Sequence, residues 1–133
     1  SDTLINQNTF TQRHYTSVDS SYFEPVIEGM YLAVNGGAYS TAWRAKVSGI
    51  DVCGKTGTAQ NPRKDHAVFI CFAPRNDPKI ALAVYLENAG FGGTWAAPIA
   101  FLMLEKYLTN TCSRPDLLEQ VNSWNLIDNS NRR

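Results

Sequence analysis

The sequence predicts the α+β class: an antiparallel sheet of three or more strands with helices packed on it. Three observations carry this. Residues 20–35 repeat their apolar side chains at helical spacing, and three short extended runs follow between residues 50 and 87. An almost wholly apolar segment, residues 95–108, then closes the pattern.

The first eighteen residues are polar and turn-rich, with one candidate strand at 13–18. Ser21 followed by Glu24 is a capping-box pattern, and Pro25 is tolerated in a first helical turn. Val26, Ile27, Met30, Tyr31 and Val34 then fall on one helical face, and Asn35-Gly36-Gly37 stops the helix. Residues 50–59 alternate weakly and are broken by Gly54 and Gly57. Residues 68–73 form a compact apolar run ended by Pro74. Residues 79–87 alternate cleanly, with Ile80, Leu82, Val84 and Leu86 on one face. Arg75-Asn76-Asp77-Pro78 is turn chemistry, so the last two runs should pair as an antiparallel hairpin, with 55–59 as a neighbouring strand. Ala89-Gly90-Phe91-Gly92-Gly93 reads as a flexible loop leading to Thr94 as N-cap. The apolar segment after it reads as a helix buried in a domain, and Met30 and Met103 as core. A short helix over 115–121 and a polar tail over 122–133 complete the chain.

The 133 residues are 44% hydrophobic and 18% charged, a globular composition with room for one core. Twelve basic residues balance twelve acidic ones, which leaves no electrostatic argument for nucleic acid or an anionic membrane surface. Cys53, Cys71 and Cys112 form no metal or redox spacing. The first two lie in apolar runs, where a free cysteine behaves as a small hydrophobe. The longest apolar run, 96–104, contains Pro98 and is about half the length that crosses a bilayer. Ser1-Asp2-Thr3-Leu4 lacks a basic n-region, so if the parent protein is exported or anchored, that signal is expected upstream of this sequence.

Two motifs compete for one lysine. Gly49-Ile50-Asp51-Val52-Cys53-Gly54-Lys55-Thr56 fits the nucleotide-binding loop G-x-x-x-x-G-K-[ST] letter for letter. The context argues against it. Ile50 to Cys53 read as extended chain, and Gly57, Thr58 and Pro62 cannot supply the helix that must begin at the lysine. The second reading takes Lys55-Thr56-Gly57-Thr58 as a strand motif. It offers a cation and hydroxyl donors for a carboxylate, a glycine where a substrate backbone comes close, and an edge amide able to act as an oxyanion donor.

The residues around that tetrapeptide extend the second reading. Thr41-Ala42, then Gly49 through Gln60, resemble the third signature region of class B penicillin-binding proteins of the penicillin-binding protein 2 type. Asp65-His66-Ala67-Val68-Phe69-Ile70-Cys71-Phe72-Ala73-Pro74 resembles the strand that follows in that family. Ile80 to Asn88, with Gly90-Phe91-Gly92-Gly93-Thr94-Trp95-Ala96-Ala97-Pro98, resembles its last strand, loop and closing helix, and Glu24 to Met30 the helix before the motif. The likeness spans residues 10–108.

The resemblance implies the penicillin-binding and serine β-lactamase-like transpeptidase fold. It implies a peptidoglycan D,D-transpeptidase that cross-links stem peptides through a serine acylated by a D-Ala-D-Ala end, and that is trapped by β-lactams. By position, Lys55 matches the motif lysine, a catalytic residue. Thr56 and Thr58 match the hydroxyls that hold the substrate carboxylate, Gly57 gives clearance, and the Thr58 N–H matches an oxyanion donor. No serine of the chain has a lysine three residues later, and Ser123-Trp124-Asn125 follows the Lys-Thr-Gly strand where the family places its Ser-x-Asn before it. The chain alone is therefore expected to be inactive: residues 1–110 as the C-terminal portion of a transpeptidase domain, 111–133 as an extension. Expected partners are the stem peptide, β-lactams, the remainder of the domain and the cell-elongation machinery, with no nucleic acid, cofactor or metal. The expected location is the periplasm or the outer face of the bacterial cytoplasmic membrane. A non-catalytic penicillin-sensing module of the same fold and a nucleotide-binding fragment stand as alternatives. His14 and His66 read as surface or strand-end residues without metal spacing, and Trp95 as core, with Phe91 and Trp95 as candidates to shape a groove.

Overall fold

The computed structural model describes residues 15–125. The candidate strand at 13–18 falls partly outside that range, and residues 15–18 form no strand. A 3-10 turn at Ser20–Tyr22 leads into helix α1, Phe23–Asn35. The capping box does not form. Asp19 Oδ1 accepts from the Ser21 amide at 2.9 Å and from its hydroxyl at 2.7 Å, so Ser21 is tied backward rather than forward onto the helix. Glu24 turns away to Arg75 instead. Gly36 caps the C-terminus, its N–H donating to Leu32 O. The Asn35 amide donates to Tyr31 O and to Val52 O at 2.9 Å, which ties the last turn of α1 to the entry of the sheet.

The sheet has three strands in sequence order: β1 (Cys53–Ala59), β2 (His66–Ala73) and β3 (Ile80–Leu86), all antiparallel. The expected hairpin and neighbouring strand are both present, with Phe69 facing Thr56 on one side and Val84 on the other. Period-two alternation makes one face of β2 the core face: Ala67, Phe69, Cys71 and Ala73 are all buried. The register puts Gly54, Thr56, Thr58, Leu82, Val84 and Leu86 on that same face. The β2–β3 turn is fastened to α1. Arg75 pairs with Glu24 at 2.5 Å and Glu28 at 2.6 Å, and its guanidinium lies 5.2 Å from the Tyr31 ring centroid.

Helix α2, Gly92–Thr109, covers the core face and contributes Ala96, Ala97, Ala100, Phe101 and Leu104 to the core with Val34, Val52 and Phe69. It begins two residues before Thr94, with Phe91 at the N-cap position and its carbonyl accepting from both the Thr94 and Trp95 amides. Small residues set this packing: a Cβ on Gly92 would fall onto the Val68 carbonyl oxygen and 2.7 Å from the Gly57 oxygen. The helix is not buried all round. Met103 is 48% exposed and Tyr107 63%, because only one side of α2 meets the sheet. Asn110, at φ 55°, ends it in the left-handed conformation. The chain then reverses into α3, Pro115–Ser123, held by Glu105, whose buried carboxylate accepts from the Ser113 amide at 2.8 Å.

Candidate functional site: the Lys-Thr-Gly strand

Lys55 and Thr56 lie in the middle of β1, paired with Ile70 and Phe69. A nucleotide-binding loop would place this lysine at a helix N-terminus, so that reading is excluded by geometry. The pleat divides the motif. Lys55 and Gly57 point to the face away from α2, Thr56 and Thr58 to the face that α2 covers. The two faces meet at the outer edge of β1, where no further strand pairs among the described residues. Side chains of both faces therefore flank one open row of backbone donors and acceptors.

Three segments flank β1 at the motif: the loop before it, the first turn of α2, and β2 on its paired side. Thr56 Oγ1 donates to Thr41 Oγ1 at 3.4 Å, linking β1 to the loop before it. Gly93 in the first turn of α2 approaches the Thr41 carbonyl so closely that a Cβ would overlap it, and that Cβ would lie 3.6 Å from the Thr56 methyl. Gly57 backs onto Val68 of β2. Lys55 is exposed, and its ammonium donates to the Thr56 carbonyl at 2.7 Å; no carboxylate pairs with it among the described residues. Thr58 is exposed at the end of the strand. The site thus holds an uncompensated cation, two hydroxyls and a free strand edge, the components of a carboxylate-terminated peptide site.

His66 is more than a strand-end residue. Its Nδ1 accepts the Asn88 amide N–H at 3.0 Å, its Nε2 lies 3.0 Å from the Asn61 amide, and its ring packs 5.4 Å from Tyr85. The Asn61 amide also reaches the Asn88 side chain at 2.9 Å. This cluster ties the loop leaving β1 to the turn leaving β3, where Asn88 adopts φ 55°. Sequence reasoning missed it because its three members are joined only by the folded sheet. Ser123 of the Ser-x-Asn triplet ends α3 and donates its hydroxyl to Gln120 O, a local helix bond. Cys53 and Cys71 are free and buried, Cys112 free and exposed. Trp95, read as core, is only partly buried.

Comparison with known proteins matches residues 3–105 to the penicillin binding protein transpeptidase domain. The chain belongs to the penicillin-binding protein transpeptidase family. Among curated relatives, the peptidoglycan D,D-transpeptidase MrdA of Haemophilus influenzae is 34% identical over 121 residues, 78% of this chain and 18% of that protein. The chain therefore spans less than a fifth of that relative. The imipenem acyl-enzyme complex of Mycobacterium tuberculosis penicillin-binding protein A superposes with a TM-score of 0.61 at 30% identity, over 74% of this chain and 22% of that one. Penicillin-binding protein 2 of Helicobacter pylori, in complex with MreC, gives a TM-score of 0.63 at 25% identity over 80% of this chain and 21% of that one. The transpeptidase family's fold accounts for the antiparallel sheet and the two helices that pack on it. Residues 106–125 lie beyond the matched segment.

Proposed function

We propose that this chain is the C-terminal portion of the transpeptidase domain of a peptidoglycan D,D-transpeptidase, with residues 1–110 in that domain and 111–133 an extension of it. The observation that carries the reading is Lys55-Thr56-Gly57-Thr58 on an open-edged strand in a chain of this family. The substrate is the D-Ala-D-Ala end of a stem peptide, lying along the edge of β1 as an added strand. Lys55 supplies positive charge beside its terminal carboxylate, and the Thr56 and Thr58 hydroxyls donate to that carboxylate. The Thr58 N–H helps hold the oxyanion when a serine supplied from elsewhere in the domain attacks the carbonyl carbon. That attack forms the acyl-serine ester and releases D-alanine; the amine of a second stem then displaces the serine and forms the cross-link.

The M. tuberculosis acyl-enzyme supports β-lactams as ligands of the same site, and the H. pylori complex supports a partner in the cell-elongation machinery. Such a protein works at the outer face of the cytoplasmic membrane. No helix among the described residues is long and apolar enough to cross a bilayer, so an anchor would be contributed by another segment.

The test is acylation by a fluorescent penicillin. The full-length protein should label, and the 133-residue chain alone should not. Replacing Lys55 or Thr56 with alanine in the full-length protein should slow acylation roughly tenfold or more, since each removes a charge-assisted contact of about 1.5–3 kcal/mol. Unchanged rates in both variants would remove the site assignment, and an adduct on any serine of the 133-residue chain would overturn the division of labour.

A further inference from the structure

Beyond the matched segment the chain folds back along α2 and builds something the family match does not include. Helix α3 brings Trp124 edge-on against Trp95, with ring centroids 4.8 Å apart and planes at 71°. Arg114, immediately before α3, lies 5.6 Å from the Phe101 ring centroid. From the opposite side, the turn after Thr41 delivers Trp43 and Arg44, whose guanidinium sits 4.5 Å from the Trp43 centroid. Between these segments is a cavity of about 310 Å³ lined by Trp43, Arg44, Thr94, Trp95, Arg114 and Trp124.

Among the described residues, nothing compensates the charge in this cavity. The ion pairs among the described residues belong to Arg75 and Lys79; neither Arg44 nor Arg114 meets a carboxylate. Both arginines are partly buried, and each guanidinium lies against an aromatic ring, which orients its N–H donors without neutralising it. Two like charges in one concave site, each with a rigid fork of donors, suit a carboxylate. The indoles add flat apolar walls of the kind that take the C–H face of a sugar ring, and the Thr94 hydroxyl adds a polar contact. The volume fits one sugar or two peptide residues, a part of a larger ligand.

The cavity also adjoins the Lys-Thr-Gly strand through both of its walls. Thr41, which meets the Thr56 hydroxyl, is two residues from Trp43, and Gly93, which packs on Thr41, precedes Thr94. A long substrate seated on β1 reaches the cavity without leaving the surface. We propose that this cavity is a second binding site, for a carboxylate-bearing glycopeptide segment of the peptidoglycan substrate, and that the C-terminal extension exists in part to complete it. The proposal rests on the transpeptidase reading above for the identity of the substrate, but the arginine pair stands independently of it.

The experiment uses the full-length protein. Labelling of the wild type by fluorescent penicillin reports on the transpeptidase reading alone. Calorimetric titration then follows binding of a soluble disaccharide-pentapeptide to protein already acylated by penicillin, so that the serine site is occupied. Wild type should bind the free-acid probe, and Arg44→Gln/Arg114→Gln should bind it at least about tenfold more weakly. The probe with amidated carboxylates should bind wild type as weakly as the free acid binds the double variant. Arg114→Gln alone should fall between, which keeps the test valid if the double variant unfolds. The proposal is overturned if wild type binds both probes equally, if Arg114→Gln binds like wild type, or if acylated wild type binds neither probe. If the wild type does not label, the transpeptidase reading fails, and the same comparison on unacylated protein still decides the cavity.

Discussion

Cys71 is 3% exposed on the helix-covered face of β2, and burial pushes its thiol up to about 11. Cys53, also buried, is raised for the same reason, with smaller opposing help from Arg75. Both were expected as small hydrophobes from their apolar surroundings, and the structure agrees. The linkage has a definite sign. An unfolded thiol loses its proton near 9 while the folded Cys71 keeps it, so stability is fully present below pH 9 and drains away as pH rises toward 11. Denaturant unfolding of the protein at pH 8, 9.5 and 10.5 should therefore show wild type losing stability faster than Cys71→Ala, by up to about 1.4 kcal/mol per pH unit. Parallel pH profiles would show that Cys71 is not the titrating group. Residue-level chemistry was legible where it depended on contiguous sequence: Lys55-Thr56-Gly57-Thr58 read as a strand motif, and the segments around it out to residue 108 gave that reading its weight. It was illegible where partners come from far along the chain. His66 depends on Asn61 and Asn88, and Arg44 and Arg114 are seventy positions apart.

At the scale of elements, the helices and strands expected from residue 20 onward are present and differ mainly at their ends, while the candidate strand at 13–18 does not form over its described residues 15–18. Glu24 fits a capping box with Ser21, yet it pairs with the distant Arg75, while Asp19 caps the 3-10 turn that precedes the helix. The five-residue run from Ala89 to Gly93 carries the composition of a flexible loop, yet Gly92 and Gly93 form the first turn of α2. Their function is close approach, since α2 can sit on the backbones of Val68, Gly57 and Thr41 only where no Cβ intervenes. This predicts opposite outcomes for two glycines of helices. Gly92→Ala collides with backbone, which cannot swing aside as a side chain can, so it should destabilise by about 1–3 kcal/mol or more and loosen α2 from the Lys-Thr-Gly strand. Gly29, mid-helix in α1 with open space around its Cβ position, should accept alanine with a gain of roughly 0.4–1 kcal/mol. Urea midpoints of the two variants check this, and a neutral Gly92→Ala would show that the helix–strand contact is not tight.

At the scale of the molecule, several large apolar side chains of the described residues lie exposed near one another. The helical face read from the sequence as amphipathic is only partly covered: Val34 is 1% exposed, but Val26 is 59% exposed. On the face of the sheet away from α2, Ile70 and Tyr85 are each about half exposed. A bare surface near the Lys-Thr-Gly strand and α1 was to be expected from the family resemblance, which implies that the remainder of the transpeptidase domain packs there. A second one was not: Ile80, Met103, Tyr107 and Leu118 line an apolar groove of about 670 Å³ beside the unpaired edge of β3. Its members come from three elements that periodicity cannot bring together. Exposed apolar patches beside two open strand edges favour pairing with another chain. The 133-residue chain by itself should therefore associate with a second copy as its concentration rises. Sedimentation velocity from low to high micromolar protein should show the mean mass climbing above the monomer's 14.8 kDa. Tyr107→Glu together with Val26→Glu, both at exposed positions, should shift that transition to higher concentration without lowering thermal stability. A chain that stays monomeric throughout this range would show that these patches are too small or too scattered to drive association.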